Sequence, residues 1–159
     1  MENIFEFKIE GKTTQKVWAV YVIVATHIND KQKLLYVGKV GDNRSGCNPI
    51  ISRVGNHFSY NKVHSQLRNK INKTTDFNYE IFCAIFGIYD KKKFLQDRDR
   101  INELERQLNK IIHSKVGKKL INIYKGTGYI SNEEKGKRKK LLTANDYNKL
   151  IELADRATK

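Results

Sequence analysis

The sequence predicts an α+β domain, a small antiparallel sheet of about three strands flanked by helices. Three observations carry this expectation. Two β-branched and aromatic runs, Val17–Ala25 and Lys33–Gly38, lie on either side of a short polar loop. A third run, Phe77–Tyr89, alternates with period two. The helix-period spacing of apolar residues dominates the segments between and after them.

Taken in order, Phe5, Phe7 and Ile9 alternate with Glu6 and Lys8, which suggests a short additional strand ahead of the rest. Val17–Ala25 is apolar throughout and reads as a buried strand. His27–Lys31 suits a hairpin loop leading into the strand Lys33–Gly38. Ile51, Val54 and Phe58 are spaced as one face of a short helix. Val63, Leu67 and Ile71 make a second such stretch out of phase with the first, so a break is expected near Ser59–Lys62. In the third strand Phe77, Tyr79, Ile81, Cys83 and Ile85 share a face. Phe94, Ile101, Leu104, Leu108, Ile111 and Ile112 mark a long central helix. Glu134–Lys140 reads as a basic linker, and Thr143 caps a final helix over Ala144–Ala157. The expected organisation is a domain over residues 1–130 with a short N-terminal extension. Residues 131–159 follow as a basic linker and a C-terminal helix packed on it or appended to it.

At 159 residues the chain fits one domain with one real core. Lys and Arg number 31 against 17 acids, a formal charge of +14. A compact domain with that excess needs an anionic partner, and nucleic acid is the usual one. A ribosome-associated or membrane-surface role fits the charge equally, so charge alone implies no enzyme. The start lacks the basic-then-apolar order of a signal peptide, and the longest apolar run is too short to span a bilayer. Cys47 and Cys83 are far apart and unpaired by motif, as expected of free thiols in a reducing, cytoplasmic setting.

The chemistry concentrates in a few residues. Tyr21 and Tyr36 fall on adjacent strands, and a buried tyrosine needs a partner for its hydroxyl. Arg53, His57 and Tyr60 recur at helical spacing as one polar face opposite Ile51, Val54 and Phe58. A guanidinium and an imidazole on one face suit a phosphate grip and a proton transfer. On the central helix Glu105 lies about 20° from Ile112, inside the apolar stripe, whereas Glu103 lies about 180° away on the expected solvent face. A carboxylate on a core stripe must be paired or bind metal. Arg98, near the same stripe, is the alternative partner.

Ala19-Val20-Tyr21, Tyr36-Val37-Gly38, Arg53 with His57, Glu105 and Asn122, in this order and on these elements, resemble the GIY-YIG nuclease superfamily. The match covers roughly Val17–Asn122. Ala19 stands where the family usually has glycine, and an insertion at Gly41–Pro49, which holds Arg44, lengthens the path to Arg53. A literal Gly87-Ile88-Tyr89 follows the second tyrosine motif instead of preceding it, so it is not the motif. The resemblance implies a metal-dependent endonuclease acting on double-stranded DNA and leaving 5′-phosphate and 3′-hydroxyl ends. Its implied site is Tyr21, Tyr36, Lys39, Arg53, His57, Glu105 and Asn122. Glu105 would ligate Mg²⁺, with Mn²⁺ as substitute, because a lone carboxylate suits an ion that keeps its waters. Either tyrosine would act on the attacking water, with His57 or Lys39 relaying the proton. The alternative is a non-catalytic basic module that binds nucleic acid.

Overall fold

The computed structural model describes residues 4–41, 48–124 and 131–159, so Arg44 and Cys47 lie outside the description. The architecture is the expected α+β class. Strands β1 (Val17–His27), β2 (Lys33–Val40) and β3 (Phe77–Ile88) form an antiparallel sheet in the order β2-β1-β3. Four helices accompany it among the described residues: α1 (Ile50–Asn56), α2 (Phe94–Val116), α3 (Asn132–Lys139) and α4 (Ala144–Thr158). None is long and apolar enough to cross a membrane.

The central position of β1 explains its unbroken apolar sequence, since both of its faces are covered. Trp18, Val20, Val22 and Val24 point into one core with Leu104, Leu108 and Ile112 of α2 and Leu150 and Ala154 of α4. Val17, Ala19, Tyr21, Ile23 and Ala25 point into a second core with Ile50 and Val54 of α1 and with Leu67 and Ile71. Each fully buried aliphatic side chain contributes about 1.5–3 kcal/mol, and the two clusters together fix the layers. Both tyrosines of interest share the second face. Tyr21 pairs with Gly38 and Tyr36 with Ile23, which makes the tyrosines diagonal neighbours across the strand pair.

The C-terminal segment belongs to the core. A reciprocal capping box between Thr143 and Asp146 starts α4. Asp146 also takes Arg100 Nη2 at 2.7 Å, which ties that cap to α2. The run expected to be a basic linker is helical instead. The Ser131 hydroxyl caps α3 by accepting from the Glu134 N–H, and Glu133–Lys137 and Glu134–Arg138 pair four residues apart. Read for charge alone, that spacing is invisible.

Two further expectations fail. Phe5 and Phe7 are exposed and lie in no strand, because period-two alternation supplies a pattern without a backbone partner. Residues 63–71 are a series of turns, although Leu67 and Ile71 are buried as expected. Polar side chains there capture the backbone. Asn61 Oδ1 accepts from the Val63 N–H, the Ser65 hydroxyl donates to the Asn61 carbonyl, and Asn69 Nδ2 donates to the Lys62 carbonyl. Such local bonds compete with a helix ladder.

Candidate active site

Among the described residues no strand lies beside the outer edge of β2, and the chain just after α2 takes that place. The Ile121 N–H donates to the Leu35 carbonyl at 2.9 Å, and Leu120 forms a parallel bridge with Leu35. The Asn122 side chain completes the cover. Its Oδ1 accepts from the Val37 N–H at 3.0 Å, and its Nδ2 donates to the Val37 carbonyl at 2.7 Å. Asn122 therefore acts as a strand substitute between Tyr36 and Gly38. Asn109 on α2 holds this segment in turn, donating to the Asn122 carbonyl and accepting from the Tyr124 N–H.

The same wrap brings α2 to the edge of the sheet. Glu105 Oε2 lies 2.7 Å from Lys39 Nζ and accepts from the Tyr124 hydroxyl at 2.8 Å. Glu105 is mostly buried, as its phase on the helix predicts, but its partner is Lys39 rather than Arg98, whose ion pair is with Asp99. Glu103 departs from the expectation. It is 0% exposed, with Arg106 Nη1 at 3.0 Å and Gln107 Nε2 at 2.6 Å. The phase argument assumed one buried face, whereas α3 and α4 cover the far side of α2 and place Arg138 and Tyr147 near the Glu103 charge.

On the second face of the sheet, Tyr21 and His57 form one buried pair. The hydroxyl lies 2.6 Å from His57 Nε2, and the Tyr36 ring stands edge-on to the imidazole at 4.7 Å between centroids. His57 is 0% exposed, because α1 stops at Asn56 and the following residue turns inward. It is thus no member of a solvated helical face. Tyr60 lies beyond the helix, and the core residues of α1 are Ile50 and Val54 rather than Ile51 and Val54. Among the described residues His57 Nδ1 is buried without a partner, a cost of about 1–3 kcal/mol carried at this site.

Burial sets the protonation states, and neighbouring charge modulates them. Burial, with the Arg53 guanidinium nearby, lowers the His57 pKa to about 4, so the imidazole is neutral. Burial raises the Tyr21 pKa well above its ordinary value, opposed by the charge of Arg53 and a hydrogen bond with it. Tyr36 is pushed up to about 12 by burial and by the Glu105 charge, again opposed by Arg53. Arg53 and Glu105 therefore act on both tyrosines from opposite signs, and all four belong to one site. Burial and the Glu105 charge also raise the Tyr124 pKa.

The structure brings Tyr21, Tyr36, Arg53, His57, Lys39 and Glu105 together, with Asn122 bracing the strand that carries two of them. Sequence reasoning missed Tyr124 and Asn109. The spacing of Asn109 four residues after Glu105, on the same helical face, was the available signal. Gly38 was noted only as part of a motif. Its role is close approach, since a Cβ there would sit 2.6 Å from Tyr21 Cε2.

No group of three or more His, Cys, Asp or Glu side chains capable of holding a metal occurs among the described residues. Among the described residues Glu105 is the one carboxylate of the cluster. Both of its contacts fall on Oε2, and one of them is already a cation. Glu105 would be the one described protein ligand for Mg²⁺, a donor set that suits a cation keeping most of its waters and does not suit an all-protein cage. Comparison with known protein families, characterised proteins and solved structures yields no match.

Proposed function

We propose that this chain is a metal-dependent DNA endonuclease that hydrolyses phosphodiester bonds. One observation carries the reading. Two tyrosines, an arginine, a histidine and a glutamate, far apart in sequence, act on one another around one edge of the sheet. A merely structural aromatic pair needs no guanidinium and carboxylate set against each other beside it.

Glu105 would hold Mg²⁺ or Mn²⁺, which when bound supplies positive charge to the phosphate. The remaining chemistry belongs to the chain. Arg53, hydrogen-bonded to Tyr21 and with its charge felt by Tyr36, would stabilise charge growing on the phosphate oxygens. The Tyr21 hydroxyl is buried against the neutral His57 Nε2 at 2.6 Å, so of the two tyrosines it is Tyr36, 8% exposed, that would orient the attacking water. Arg53 offsets part of the burial that keeps both tyrosine hydroxyls protonated. Lys39, bonded to Glu105, would position that carboxylate. The excess of 31 basic over 17 acidic residues supports binding to the DNA backbone. One observation favours a non-catalytic binding module instead: Glu105 already has Lys39 as counter-charge.

Incubation with supercoiled plasmid in Mg²⁺, in Mn²⁺ and in chelator separates the two. Nicking or cleavage that stops with chelator supports the enzyme. Glu105→Gln should lower cleavage by orders of magnitude and leave DNA affinity equal or higher, since a negative charge near phosphate is removed. A folded Glu105→Gln protein that cuts at the native rate would sink the assignment.

A further inference from the structure

We propose that Tyr60, backed by Arg68, is a stacking platform for an unpaired nucleobase, so that the preferred substrate carries unpaired bases beside the cleaved phosphate. This rests on the nucleic-acid reading above and narrows its substrate.

Tyr60 is 88% exposed, and Val63, three residues on, is 75% exposed, on a loop pinned by the buried Ser65, Leu67 and Ile71. Leu67 and Ile71 bury the loop against the core that holds Tyr21 and Tyr36. Arg68 donates to the Phe58 carbonyl through Nε at 3.0 Å and Nη2 at 2.8 Å. Its backbone N–H donates to the carbonyl of His57, so the loop is fastened to a residue of the site itself. From that anchorage the Arg68 guanidinium carbon lies 4.2 Å from the Tyr60 ring centroid. The aromatic plane is thus held from behind by a cation, with the rest of the ring open to solvent.

The surroundings point to an anionic polymer. No Asp or Glu occurs between Asp42 and Asp76, whereas Arg53, Lys62, Arg68, Lys70 and Lys73 all do. An exposed aromatic ring on an acid-free basic segment matches the two requirements of single-strand binding, a stacking surface and backbone neutralisation. Within a regular duplex both faces of each base are already stacked. A base offers a face to Tyr60 only where it is unpaired, bulged or flipped out.

The test measures binding in chelator, so that cleavage does not intervene, with the full chain. Labelled single strands, a duplex carrying a bulge and a perfect duplex are compared, with 2-aminopurine at the unpaired positions. The wild-type protein should quench 2-aminopurine and bind the single strand and the bulge more tightly than the perfect duplex. Tyr60→Ala should lose about tenfold in affinity for the first two and the quenching, and lose little on the perfect duplex. Tyr60→Trp should restore both. Because Tyr60 is exposed, neither variant threatens the fold. Equal loss on all three DNAs, or none, overturns the platform and assigns the segment to backbone contact, while metal-dependent plasmid cleavage would still stand. Failure of the wild-type chain to bind any of the DNAs overturns the platform together with the reading beneath it.

Discussion

Replacing Gly38 by alanine tests the packing that places the Tyr21 hydroxyl. Gly38 is not a positive-φ glycine, so alanine meets no backbone strain there. The obstacle is the Tyr21 ring, which crosses directly over the Gly38 α-carbon. A new Cβ would fall 2.6 Å from Cε2 and closer still to Cζ and the hydroxyl oxygen. The ring is 0% exposed and packed on every side, so it has no free volume to enter. Overpacking of this kind costs about 1–3 kcal/mol. Displacing the ring also breaks the 2.6 Å bond to His57 Nε2 and leaves that buried ring nitrogen unpaired. That adds about 1–3 kcal/mol, for about 2–6 kcal/mol in all, a large share of a domain's stability of about 5–15 kcal/mol. The chain's single tryptophan, Trp18, is buried, so its fluorescence follows urea unfolding without a label. The decisive comparison is the same substitution in a Tyr21→Leu background. With the ring gone, Gly38→Ala should be neutral or favourable by about 0.5–1 kcal/mol. A loss equal in both backgrounds, or below about 0.5 kcal/mol in the native one, would refute the reasoning.

Three other outcomes follow from the same geometry. Glu103→Gln should destabilise the protein by about 1–3 kcal/mol by weakening its contacts with Arg106 and Gln107, while the folded fraction keeps its cleavage rate; a melting temperature like that of the native chain would count against a buried Glu103. His57 has a folded pKa of about 4 against 6.5 unfolded, so its neutral form stabilises fully above about pH 6.5 and that share is lost as pH falls toward 4. The share is about 3 kcal/mol, and the slope of stability with pH in that window should flatten in His57→Gln; parallel slopes would sink the claim. Tyr124→Phe removes one of the two groups holding Glu105 Oε2, so the Mn²⁺ concentration needed for half-saturation, followed by electron paramagnetic resonance, should rise several-fold with the fold intact.

What the sequence could disclose divides along a physical line. Period and burial are local properties, and they marked the three strands, the central helix and its inward Glu105. The unbroken apolar run of β1 even implied a strand covered on both faces. Arrangement between elements is not local. The phase that correctly turned Glu105 inward wrongly turned Glu103 outward, because one helix packed between a sheet and two other helices has two buried sides. The polar face drawn through Arg53, His57 and Tyr60 presupposed a helix longer than the one that ends at Asn56. Where it ends, one of those residues goes to the core and another to the surface, and each gains a distinct role from the change.

Asn122 shows the same division at the site itself. Its position after the glutamate helix was readable, but both ends of its amide are spent on the Val37 backbone, so its contribution runs through β2. Val37 sits between Tyr36, whose ring meets His57, and Gly38, over which the Tyr21 ring folds. Lys39, two residues on, carries the counter-charge of Glu105. A shift of β2 along its edge would therefore disturb both tyrosines and the carboxylate at once. Asn122→Ala should then behave unlike a lost catalytic group. It leaves a buried N–H and carbonyl on Val37 unpaired, at about 1–3 kcal/mol. Stability and cleavage should fall together, and osmolytes that restore folding should recover much of the cleavage. Were Asn122→Ala to abolish cleavage in a protein of native stability, Asn122 would have to meet the substrate directly, and the bracing role assigned to it here would be wrong.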